Sequence, residues 1–70
     1  MNKDSELKRL GRRIKGVRNQ MHMTQTELAT VCKLNRNYIG MLERGERNPT
    51  YITLLRLAKN LGMTISQLID

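Results

Sequence analysis

Between Thr24 and Thr64 the chain signals the start of a helix four times: Thr24, Asn35, Thr50 and Thr64 each stand just ahead of a short, partly apolar run. An oxygen on such a side chain accepts from the unpaired amides of a first helical turn. Thr24 with Glu27 and Thr64 with Gln67 have the spacing of capping boxes, in which the residue at the third helical position also reaches back to the cap amide. A chain that restarts this often builds several short helices.

Seventy residues hold one domain, 1–70, and a domain of that size buries only about 60% of its unfolded surface, so nearly every large apolar residue must join one core. With two tyrosines and no Phe or Trp, that core is built from Leu, Ile, Val, Met and Ala. Leu7, Leu10, Ile14, Val17 and Met21 recur at intervals of three and four, which predicts a first helix from about Glu6 to Met21. A second helix begins near Gln25 and buries Leu28, Ala29 and Cys32. The third spans about Arg36 to Arg44, with Tyr38, Ile39 and Leu42 inward and Gly45 at the permissive position past its end. After the polar loop Glu46-Arg47-Asn48-Pro49, the fourth carries Leu54, Leu57, Ala58 and Leu61 and stops at Gly62. Ile65, Leu68 and Ile69 belong to a short fifth. The fold class is all-α, without repeats or linkers.

Thirteen Lys and Arg against six Asp and Glu leave a net charge of +7, which makes nucleic acid or an anionic membrane the first partner to consider. No apolar run approaches the roughly 18 residues of a spanning helix, and Met1 to Ser5 is polar, so neither a membrane span nor a secretory signal is expected and the location expected is cytoplasmic. Cys32 has no second cysteine for a disulfide or for a zinc pattern with His22. It reads as a small buried apolar residue, and His22 as an exposed one near a helix end. There is no acid, base and nucleophile constellation, no phosphate-binding glycine loop and no metal-ligand spacing, so neither an enzyme nor a cofactor is expected.

Residues 24–44 give the arrangement its purpose. Two short helices hinged at Cys32-Lys33-Leu34 can set the first across a phosphate backbone and the second in the major groove, the geometry of a helix-turn-helix. The patterns TQxELA, NYI, LERGxRNP and LxxLAKxLG, spread over about residues 7–69, resemble the phage-repressor/Cro-like (XRE-type) helix-turn-helix family. One departure stands in the turn: Lys33 replaces the usual Gly, and at positive φ it costs on the order of 1 kcal/mol.

The resemblance implies a five-helix lambda-repressor-like domain that binds double-stranded DNA and regulates transcription, as a dimeric repressor or autoregulator on a palindromic operator. It places Asn35, Arg36, Asn37 and Met41 against base edges. Arg suits guanine O6 and N7, Asn suits adenine N6 and N7, and Met41 can touch a thymine methyl. Gly40 keeps that face low for backbone approach. The plainer reading of Arg36 and Asn37 is two surface residues of a first turn. Gln25, Tyr38, Arg44, Arg47, Asn48 and Thr50 are implied phosphate contacts. Gln25 adds its amide to a helix N-terminus, or is simply solvated. Asn48 either grips phosphate or caps the turn before Pro49, and the Tyr38 ring serves mainly the core.

By the same resemblance Arg18 and Glu43 form a partly buried structural ion pair, the alternative being two exposed charges. Arg9, Arg12, Arg13 and Lys15 read as a solvated basic face. Ile52 and Leu55 lie beyond the stripe of the fourth helix, and with Ile65, Leu68 and Ile69 they exceed what a small domain can hide. Leu55, Ile65, Leu68 and Ile69 are therefore the expected homodimer interface. Two other systems use similar domains, as antitoxins that bind a toxin partner and as controller regulators of restriction-modification operons.

Overall fold

A computed structural model describes residues 3–70 as five helices: α1 (Lys3–Gln20), α2 (Gln25–Cys32), α3 (Arg36–Glu43), α4 (Tyr51–Asn60) and α5 (Ile65–Ile69). Met1 and Asn2 lie outside the described residues. α3 packs on α1 and α2, α4 on α2 and α5, and α5 returns to α1. Ile14, Leu28, Ile39, Leu42, Leu57 and Leu68 are wholly enclosed at the centre, one or more from each helix. No described helix is long and apolar enough to cross a membrane.

The expected caps form. Glu27 N donates to Thr24 Oγ1 at 3.0 Å and Thr24 N to Glu27 Oε1 at 2.7 Å, and the Thr64–Gln67 box repeats the exchange. The helix ends share one device. After α1, His22 N donates to Asn19 O and Met23 N to Arg18 O, and the same pair of bonds recurs around Lys33, Gly45 and Gly62. Each of these four residues has positive φ, between 57° and 77°.

Two expectations are corrected. α1 is already helical at Lys3, three residues ahead of the expected Glu6, and it stops at Gln20 because His22 turns left-handed, so Met21 leaves the stripe and is exposed. Arg9, Arg12, Arg13 and Lys15 are all exposed, as the reading of a solvated face has it, and two of them also make contacts: Arg9 donates to Asp70 O and Arg13 to Gln67 O at 3.2 Å, tying α1 to the end of α5. Leu68, placed at a dimer surface by its apolar excess, is 1% exposed in the monomer core, because α5 turns that side toward the rest of the domain. Ile65 is half-buried against the same core. Leu55, Ile69, Ile52 and Tyr51 remain exposed.

Candidate nucleic-acid interface

The turn between α2 and α3 sets the site. Lys33 sits at φ 59°, ψ 42°, and its N–H bonds the last turn of α2 while Leu34 tucks against the core. Asn35 then caps α3, its Oδ1 accepting from Tyr38 N at 2.8 Å. That oxygen is used by the fold, and of the side chain of exposed Asn35 only the amide nitrogen is left uncommitted among the described residues. Arg36 and Asn37 follow in the first turn, both exposed and neither holding a side-chain partner among the described residues. Met41, one turn further on, is half-buried. Gly40 is buried rather than open, because the side chains of Arg44 and Gln25 lie over it; a Cβ there would stand 3.2 Å from Arg44 Nη1.

α3 is locked from behind. Arg18 of α1 meets Glu43 through two bonds, Nε to Oε2 at 2.6 Å and Nη2 to Oε1 at 3.0 Å, with Arg18 7% and Glu43 8% exposed. Arg18 Nη1 also donates to Met23 O at 2.7 Å, and the hydrogen bond with Glu43 raises the guanidinium pKa above its ordinary value. Gln25 adds a third donor, Nε2 to Glu43 Oε1 at 2.9 Å, so one carboxylate joins α1, α2 and α3. One N–H of Gln25 is thereby committed inward and the second remains. Gly11, which the sequence reading passed over, makes this contact possible: an added Cβ would lie 2.4 Å from the Leu42 carbonyl oxygen. Its place on the α1 stripe, four residues after Leu7 and three before Ile14, was the available signal.

Beyond α3 the loop is pinned at both ends. Gly45, at φ 77°, backs onto the Lys8 backbone, and Pro49 is buried. Arg44 is exposed and bonded to Glu46, Nε to Oε2 at 2.9 Å and Nη2 to Oε1 at 3.2 Å. Their hydrogen bonds hold the Glu46 carboxyl below the usual carboxylate range. Arg47 lies over the Tyr38 ring, 5.3 Å from its centroid. Asn48 is exposed, and Thr50 caps α4, accepting from Thr53 N at 3.2 Å. Exposed polar and cationic groups thus converge on the start of α3 and the loop after it, which suits a polyanion read on one face. Among the described residues no group of three or more His, Cys, Asp or Glu could hold a metal.

A family model described as Helix-turn-helix matches residues 14–68. The chain belongs to that helix-turn-helix family. Control protein C.SmaI of Serratia marcescens is 40% identical over 60 residues, 86% of this chain and 71% of that protein. The immunity repressor protein of Bacillus phage phi105 is 37% identical over 60 residues, 86% of this chain but only 42% of the repressor. Among solved structures, the restriction-modification controller protein C.AhdI from Aeromonas hydrophila superposes with a TM-score of 0.88 at 33% identity, covering 91% of this chain and 97% of its own. This helix-turn-helix protein is accordingly a DNA-binding transcriptional regulator of the phage-repressor/Cro-like type.

Proposed function

We propose that the chain is a cytoplasmic, non-enzymatic repressor or autoregulator that binds a palindromic operator as a homodimer and reads it with the first turn of α3. The observation that carries this reading is the pair Arg36 and Asn37, exposed and without side-chain partners among the described residues, at the tip of a helix that Arg18, Glu43 and Gln25 hold fixed. Arg36 and Asn37 take base edges, with the Asn35 amide nitrogen and Met41 at the margins. Gln25, Tyr38, Arg44, Arg47, Asn48 and Thr50 hold phosphates on either side. Thr50 has already given its hydroxyl to a cap and contributes chiefly through the amides of the first turn of α4.

Selection from random duplexes followed by footprinting tests the proposal. Two half-sites about one helical turn, roughly 34 Å, apart are expected, with binding that falls by a log–log salt slope of about −0.9 per neutralised phosphate. Arg36→Ala should cost about 1–3 kcal/mol and relax one base position, whereas Arg47→Ala should weaken all sequences alike and flatten the salt slope. Enrichment of no consensus at all would refute sequence-specific reading.

A second reading is favoured by the likeness to C.SmaI and C.AhdI, both named as controllers: the operator regulated is that of a restriction-modification system. A footprint upstream of an adjoining endonuclease gene decides it. The antitoxin reading instead requires a toxin partner bound through a surface away from α3, and an adjacent small toxin gene would favour it.

A further inference from the structure

We infer that the Tyr38 ring is a positioning group for Arg47, holding its guanidinium in place for the DNA backbone before DNA arrives; this rests on the reading of Arg47 as a phosphate contact. The two cations that follow α3 are held in different ways. Arg44 is bonded through two nitrogens to the Glu46 carboxylate, which occupies its donors and offsets its charge. Arg47 instead lies over an aromatic face, 5.3 Å from the ring centroid, with no carboxylate partner among the described residues. A π face attracts a cation without neutralising it and leaves the five N–H donors in the guanidinium plane free. Arg47 is therefore restrained yet fully available to phosphate.

The ring can act as a platform because it is itself fixed. Tyr38 is half-buried, packed against the core, and its backbone amide is bound by the Asn35 cap at 2.8 Å. The loop that brings Arg47 over it is anchored at Gly45, which backs onto Lys8, and at buried Pro49. An exposed arginine ordinarily loses rotamer freedom when a phosphate fixes it, and a restraint already present in the free protein lowers that cost. Tyr38 also sits next to Asn37 on α3. The cation–ring contact thus ties the register of the backbone-gripping loop to that of the base-reading helix.

The test compares Tyr38→Phe with Tyr38→Leu on the selected operator, each with Arg47 present and with Arg47→Ala, at two salt concentrations. Phe keeps the ring and loses only the hydroxyl; Leu loses the ring. With Arg47 present, Leu should bind about two- to fivefold more weakly than Phe, the factor of an exposed cation–π contact. In the Arg47→Ala background the two should be equal. Any loss of fold caused by Leu would appear in both backgrounds, so it does not imitate the expected result. A Phe–Leu difference that persists without Arg47, or none when Arg47 is present, overturns the inference. If Arg47→Ala alone changes neither affinity nor salt slope, the underlying reading of Arg47 fails instead.

Discussion

Glu46 places a carboxylate among the cations that follow α3 and keeps Arg44 engaged through two hydrogen bonds. Glu46→Gln removes that competitor for phosphate. Binding to random and selected duplexes alike should tighten, and the salt slope should steepen by about one phosphate equivalent; unchanged slopes in a salt titration would mean that Arg44 does not reach DNA. The pKa of Glu46 is depressed, so what the pair contributes is present above the ordinary carboxylate range and is lost as pH falls through the folded value. Near neutrality Arg44 is not released by pH. Arg18 and Glu43 are a different case, since their enclosure strands a charge when either is removed. Arg18→Met and Glu43→Gln should each cost about 3–5 kcal/mol in urea melts, with the double variant far from additive. That these two residues meet was legible only by resemblance, because nothing local relates positions 25 apart in sequence. The turn of Gln25 toward Glu43 was not legible at all: at the first position of a helix an amide points as readily to solvent as to a neighbour. The same limit hid the Arg47–Tyr38 contact.

Among the elements, the expected start of α1 falls three residues late, at Glu6 rather than Lys3. The four capped helix starts were easier to read than the helix stops, and the reason is chemical. A start needs a side-chain oxygen, which the sequence spells out; a stop needs a left-handed backbone, which any residue can be forced to adopt. Gly45 and Gly62 announced theirs. His22 did not, and the expected end of α1 ran on to Met21 as a result. At His22 and Lys33 the fold holds a side chain where glycine would be relaxed, while Met23 and Leu34, the residues that follow, pack on the core and keep the turn in place. Lys33→Gly and His22→Gly should each stabilise the domain by up to about 1 kcal/mol in denaturant melts, since relief of the left-handed strain outweighs the added freedom of the unfolded chain. Gly11→Ala should do the reverse. Its Cβ would press on the Leu42 and Glu43 carbonyls, neither of which can move without unseating α3, so a loss of several kcal/mol is expected, on the order of the larger overpacking penalties. A Gly11→Ala domain that melts like the parent would show α1 free to shift.

For the molecule as a whole, the apolar pattern of α4 and α5 told that surface was in excess but not which part of it the domain itself would cover. Periodicity identifies a stripe, not its partner. Leu68 proved to be core, whereas Leu55 at 40% and Ile69 at 44% exposure remain outside. Leu55→Glu should therefore leave the fold intact and, in sedimentation, convert the proposed dimer to monomer, while Leu68→Glu should unfold the chain outright. A Leu55→Glu protein that still sediments as a dimer places the interface elsewhere. The composition that denied this core any Phe or Trp has an optical consequence. All its near-ultraviolet emission belongs to Tyr38 and Tyr51. Tyr38 lies beneath Arg47 on the proposed DNA face, and Tyr51, 66% exposed, begins the helix that carries Ile52 and Leu55. Each fluorophore thus watches a different association, and in a Tyr51→Phe protein every remaining photon reports on the operator.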